Sequence, residues 1–236
     1  MSFDAHVQEV LRSVESPAAA AQSRVVASWR RSLLHHGLDP AARREPVLLN
    51  NFRLSEHTKR AAKLLTHASP KLDHLFSLVQ GSDCSVALSD ADGVVIDQRC
   101  KQDNESEFQD LGLWVGTDWS EASEGTNGIG TCIAEQRALV IHRTQHFFAR
   151  NIVMSCTGAP IFGPDGSLSG VLDITSPRAD QKGMLNRIFV TMAVQIANQI
   201  EAALLLDACA EARLVVVGEV GAENAALLAV DRDDLV

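Results

Sequence analysis

Residues 112–175 read GLWVGTDWSEASEGTNGIGTCIAEQRALVIHRTQHFFARNIVMSCTGAPIFGPDGSLSGVLDIT. A loop punctuated by glycines runs into a short helix, and three strands follow. Gly163-Pro164-Asp165-Gly166 joins the last two, with residue types that favour a tight hairpin turn. Within Glu124–Thr131, Thr126 or Asn127 can cap a helix that opens near Ile129. The free N–H groups of its first turn, with the helix dipole, favour an anionic or carbonyl oxygen.

Upstream, residues 84–97 read CSVALSDADGVVID. Val86 and Leu88 alternate with small or polar residues, and Asp92-Gly93 predicts a two-residue type I′ hairpin with a return strand from Val94 to Ile96. Residues 101–110 are polar and predict a loop or short exposed helix. Nearer the N-terminus, Ser16-Pro17 starts a helix that carries Val25, Val26, Trp29 and Leu33 at helical spacing and stops at Gly37. Trp29 is expected to anchor it to the next helix. Residues 1–15 predict a loose or swapped arm and residues 38–53 a connector. A second helix begins near Ser55, and Ser69-Pro70 restarts it as a separate one that Gly81-Ser82 closes.

Downstream, Gly183 to Leu206 predicts one long helix. Leu185, Phe189, Met192, Ile196, Gln199 and Ala203 form a heptad-like seam suited to a parallel helix pair. Ile188, Ala193 and Ile200 widen the stripe enough to lie on the chain's own sheet as well. Arg213–Val217 is apolar, and residues 225–234 read as a strand and charged turn with no partner strand. Strands grouped between helices predict an α+β fold with an antiparallel sheet.

The 236 residues carry a formal net charge of −9, which argues against a nucleic-acid-binding surface in this segment. Five scattered cysteines with no C-x-x-C pair do not form a secreted disulfide framework. The N-terminus lacks the regions of a signal peptide, and no apolar run approaches the roughly 20 residues of a membrane span. A reducing, cytoplasmic setting follows.

Taken in order, SDADGVVID, SEGTNGIGT, RTQHFF and SCTGAPIFGPDGSLSGVLDIT resemble the GAF sensor domain of bacterial enhancer-binding transcription activators of the acetoin-catabolism-regulator type. RVVASWRRSLLHHGLDP is similar to the N-terminal helix of that group. The resemblance implies a six-stranded antiparallel sheet flanked by helices, a small-molecule pocket on one face, and a homodimer with its terminal helices bundled. It implies an N-terminal helical segment (residues 1–53), a sensor domain (54–211), and a linker leading into a PAS-like domain (212–236). An ATPase domain and a DNA-binding helix-turn-helix would lie further on, in a longer protein. This segment has no P-loop motif, so it cannot bind ATP in the P-loop manner. The resemblance names no effector.

Ten residues are expected to contact that effector. Trp114 and Trp119 flank the glycine loop and can form an aromatic wall. Thr126, Asn127, Ile129 and Thr131 belong to the loop-helix. His142 ends a strand, Met154 and Cys156 share one strand face, and Asp173 stands amid apolar neighbours where it must find a partner. His142, His146, Cys132 and Cys156 match no zinc spacing, so neither metal nor cofactor is expected. His146 reads as a structural hydrogen-bonding residue. An alternative for the scaffold is a redox, haem or iron sensor. Another is a thiol reductase with Cys132 and Cys156, although their spacing does not resemble the known reductase pattern. No enzymatic activity is expected.

Overall fold

The computed structural model describes residues 2–177, 185–218 and 226–230. In chain order the elements are α1 (Phe3–Val14), α2 (Pro17–Gln22), α3 (Arg24–Arg30), β1 (Val47–Leu48), α4 (Asn51–Arg60), α5 (Ala62–Val79), β2 (Ser85–Asp90), β3 (Val95–Arg99), α6 (Glu105–Asp110), β4 (Thr117–Asp118), α7 (Glu121–Glu124), α8 (Gly128–Glu135), β5 (Leu139–His142), β6 (Ser155–Phe162), β7 (Leu168–Ser176), α9 (Asn186–Ala208), β8 (Arg213–Val217) and β9 (Ala226–Val230). A π-helical turn, Arg31–His35, extends α3.

The α+β expectation holds. The central sheet is antiparallel in the order β3-β2-β7-β6-β5. It has five strands rather than the six implied by the resemblance. Strands β1 and β4 form their own two-stranded ladder, touching the sheet through a bridge between Val94 and Asp118.

Alternation along the strands gives the sheet two dissimilar faces. Val86, Leu88, Leu172 and Ile174 point to one face, under α5 and α9, and build the larger core with Leu72, Leu75, Phe189 and Ile196. Ala87, Val95, Cys156 and Val171 point to the other face, beneath α8 and Trp119, where Phe108, Leu113, Ile129 and Met154 complete a second core.

Several local expectations are corrected. Residues 1–15 are not a loose arm: α1 is capped by Ser2 and buries Val10 and Val14. The helix expected from Ser16 to Gly37 breaks at Ser23, whose hydroxyl caps α3. Trp29 packs with Val10, Val14, Phe147 and Phe148 in a third core, and its indole N–H donates to the Gln145 carbonyl at 2.9 Å. The connector contains β1 and the start of α4, which Asn50 caps.

Pro70 does not restart a helix. It lies inside α5, where the buried stripe Leu64, Ala68, Leu72, Leu75 and Val79 holds the helix on both sides of it. That stripe outweighs the roughly 3 kcal/mol a proline costs mid-helix. The true break is at Ala61. The Asp92-Gly93 hairpin has a three-residue loop, and only Gly93 of the pair takes positive φ (93°). Asp90 holds it instead, its Oδ1 accepting from the backbone N–H groups of Asp92 and Val94.

The α9 stripe packs on its own sheet: Phe189, Ala193, Ile196, Ala197, Ile200 and Leu204 are buried. Leu185, Ile188 and Leu206 remain exposed. By length and composition alone α9 is apolar enough to cross a membrane, with mean hydropathy 1.5 over its most apolar window, but here its buried stripe packs on the sheet as a core helix does. The tail strand also has a partner, because β8 and β9 pair antiparallel with Arg213 opposite Val230.

Candidate functional site

Asn127 places the loop-helix on the sheet. Its Oδ1 accepts from Gly130 N–H at 2.8 Å, while its Nδ2 donates to the carbonyls of Trp119 and Gly125 at 2.9 and 2.8 Å. The cap is therefore Asn127, not Thr126, and its side chain is committed to structure. Gly125 sits at φ 61°, ψ −152°, a conformation essentially reserved for glycine. A Cβ there would meet Phe147 at 2.7 Å.

The first turn of α8 rests directly on β6 and β7. A Cβ at Gly128 would come within 2.5 Å of both Asp173 Oδ1 and Cys156 Cβ. One at Gly158 would come within 2.4 Å of the Gly128 carbonyl oxygen. The two glycines thus permit a contact between helix and sheet that any side chain would prevent.

Strand register sets out the polar row beneath. Gln98, Ala87, Asp173, Gly158 and Leu139 lie opposite one another from β3 to β5. Asp173, 1% exposed, accepts the Thr175 hydroxyl at Oδ2, and Oδ1 has no hydrogen-bond partner among the described residues. Burial pushes this carboxyl up to about 7 against the opposing Thr175 bond. The Thr175 hydroxyl also lies 3.2 Å from Cys156 Sγ. That thiol faces His146 Nε2 at 3.4 Å, and His146 Nδ1–H donates to the Arg143 carbonyl at 2.9 Å. Desolvation lowers the His146 imidazole to about 4, so it is the neutral acceptor.

The other side of the loop-helix is gripped by the N-terminal arm. Ser28 Oγ, fully buried, donates to Glu121 and lies 2.6 and 3.2 Å from the hydroxyls of Thr126 and Thr131. Arg31 forks onto both oxygens of Glu121 at 2.7 and 2.9 Å and reaches Glu135 at 3.0 Å. His6 Nε2–H donates to the Phe147 carbonyl at 3.2 Å. Ser28, Arg31 and Glu121 were absent from the sequence expectation, and only the fold pairs them.

The ten expected residues therefore fall into separate groups. Trp119, Ile129, Met154, Cys156 and Asp173 are brought together in the core under α8. The Trp119 indole N–H donates to the Gly112 carbonyl at 2.8 Å. Trp114 packs, half-buried, at the edge of that cluster. Thr126 and Thr131 turn towards the arm. His142 sits apart, its Nδ1 3.0 Å from Ser155 Oγ. Two surface clefts of about 320 and 350 Å³ lie elsewhere, one between Arg31 and Ile133 and one beside Arg60 and Asp92. None of the ten lines either cleft.

Cys132 and Cys156 are buried, and desolvation raises both thiols far above their ordinary range. Neither is poised as a nucleophile. Among the described residues, His57, Asp90 and Asp92 bring ligand atoms within 4.8 Å of one another. Arg60 already fills that position, its guanidinium 2.9 Å from His57 and 2.8 Å from Asp92.

A family model for the GAF domain matches residues 64–204. The acetoin catabolism regulatory protein of Cupriavidus necator is 37% identical over 72% of this chain, and the acetoin dehydrogenase operon activator AcoR of Bacillus subtilis is 30% identical over 68%. The propane 2-monooxygenase operon activator MimR of Mycolicibacterium smegmatis is 35% identical over 58% of the chain and 23% of its own length. The chain spans about a quarter of the length of the first two relatives, 26% of each. The solved structure of the DhaR(N)–DhaL complex of E. coli superposes with a TM-score of 0.73 over 80% of this chain and 62% of that one, at 17% identity, a likeness of fold alone. With the antiparallel sheet, its loop-helix and the long terminal helix already in place, this chain belongs to the GAF domain family, and its sequence relatives are bacterial transcription regulators.

Proposed function

We propose that this chain is the small-molecule-sensing region of a bacterial transcription activator. An effector is taken up on the sheet face beneath α8. Its arrival shifts α7 and α8, and the shift passes to the terminal helices of a homodimer that control downstream domains. On this reading residues 1–53 form the helical arm, 54–211 the sensor, and 212–236 lead to the next domain. The protein works in the cytoplasm, and a domain outside this segment contacts DNA.

One observation carries the reading: the α7–α8 segment is held from two sides at once. Gly128 touches Asp173 and Cys156 on the sheet, while Thr126, Thr131 and Glu121 hold Ser28 and Arg31 of the arm. A ligand that prefers a raised α8 must also change the arm contacts, which is the differential affinity that a switch requires. Exposed Ile188 and Leu206 on α9, with Leu185 just ahead of it, supply an apolar strip for a second copy.

Calorimetric titration of the purified protein with small alcohols, diols, ketones and acids tests uptake. Hydrogen exchange at residues 121–131 and 24–35 tests transmission. A molecule that binds and alters exchange in both segments supports the mechanism. Binding that leaves the arm unchanged refutes the relay, and no uptake from any class refutes sensing.

A further inference from the structure

Away from α8, a cleft opens where the sheet meets α5 and the end of α9. Asp90 continues the alternation of Val86 and Leu88 along β2, and it lines this cleft together with Leu64 of α5. The cleft, about 350 Å³, lies between the α4–α5 break, the β2–β3 and β6–β7 turns and the last turns of α9. Ala61, Leu64 and Leu204, all buried, give it an apolar floor. Arg60 and Lys63 stand at its rim, their side chains 63% and 76% exposed.

Donors exceed acceptors at this rim. Asp90 has committed both oxygens, Oδ1 to the N–H groups of Asp92 and Val94 and Oδ2 to His57 at 2.6 Å. Arg60 uses Nη2 alone, towards His57 and Asp92, so Nε and Nη1 make no hydrogen bond among the described residues. Lys63 gives one N–H to Asp207 at 2.9 Å and has two more. A carboxylate can therefore be received without displacing either aspartate. We propose that this cleft binds a short amphipathic monocarboxylate, its carboxylate between Arg60 and Lys63 and its hydrocarbon on Ala61, Leu64 and Leu204. A bare anion would meet only exposed cations, which are worth little in water; burial of the hydrocarbon is what retains the ligand. A volume near the lower end for small-molecule sites suits a chain of a few carbons. Because Leu204 and Ala208 belong to α9, an occupant joins the end of that helix to α5 and to both turns. The site is separate from the sheet face beneath α8 and stands whether or not that face takes up an effector.

The test titrates the unmodified protein with hexanoate, followed by calorimetry and by hydrogen exchange. Hexanamide removes the charge, hexylammonium reverses it, and acetate removes the hydrocarbon. Expected is hexanoate binding at millimolar concentration, at least about tenfold tighter than any of the three. Exchange should slow at residues 200–208 of α9 and stay unchanged at 121–131. Arg60→Gln and Lys63→Gln should each weaken hexanoate by about fivefold, and the double variant should abolish its binding. Lys63, the more exposed of the two, decides the matter if Arg60→Gln disturbs His57. Hexanamide or hexylammonium binding as tightly as hexanoate overturns the assignment, as does an affinity unchanged in Lys63→Gln. Protection at 121–131 in place of 200–208 moves the ligand to the other face and overturns it too. No binding of hexanoate overturns it outright and leaves the sensing role untouched.

Discussion

Replacing Asp173 with asparagine keeps the shape of the side chain and removes its charge. The wild-type carboxyl moves from an ordinary 3.8 to about 7 on folding, because it leaves water for a site where Thr175 is its hydrogen-bond donor. The folded state therefore holds a proton that the unfolded state has released across that interval. Stability from this group is fully present below the unfolded value and is lost as pH rises through the folded one. At ~1.4 kcal/mol per pH unit, the loss reaches about 4 kcal/mol by pH 8. Asparagine has nothing to lose. Denaturant unfolding of both proteins from pH 4.5 to 8.5 should show Asp173→Asn gaining steadily on wild type by about 3 kcal/mol across that range, most of it before pH 7.5. A stability difference that stays flat across the range would refute the claim that this carboxyl is desolvated, and with it the electrostatic reading of the site.

His146 gives the opposite slope. Its folded imidazole sits near 4 instead of 6.5, so stability is lost as pH falls between those values, by up to about 3 kcal/mol. Wild type should look nearly insensitive there because Asp173 compensates, and Asp173→Asn should expose the acid loss in a pH-resolved melt. Gly128→Ala forces a methyl to within 2.5 Å of Asp173 and Cys156; a destabilisation of about 1–3 kcal/mol, read as a lower Tm, is expected. Arg31→Met strands Glu121, whose side chain is 5% exposed, without its ion pair. A loss of about 3 kcal/mol is expected, with faster hydrogen exchange at residues 121–131, and unchanged exchange would mean that the arm does not hold the loop.

The sequence showed the sheet more clearly than the arm. Alternation in β2, β6 and β7, and turn chemistry at Gly163–Gly166, are local, and each survives in the structure. Pro70 misled because the penalty is local, whereas the stripe from Leu64 to Val79 that overrides it depends on a sheet formed later in the chain. Asp92-Gly93 misled because the side chain of Asp90, outside the dipeptide, takes over the turn. At the site, Trp119, Ile129, Met154, Cys156 and Asp173 were recognisable as neighbours of one loop or strand. Gln98 falls into the cross-strand row of Asp173 only through register, two strands away with Ala87 between them. Ser28 and Glu121 are 93 residues apart, and no pattern along the chain joins them.

The third core carries a practical lesson for anyone preparing this protein. Phe147 and Phe148 belong to the stretch by which the family is recognised, residues 64–204, yet their shelter comes from Val10, Val14 and Trp29, which lie outside it. A fragment trimmed at the family boundary would expose two adjacent phenyl rings to water and invite aggregation. The cloning boundary that respects this molecule lies ahead of α1.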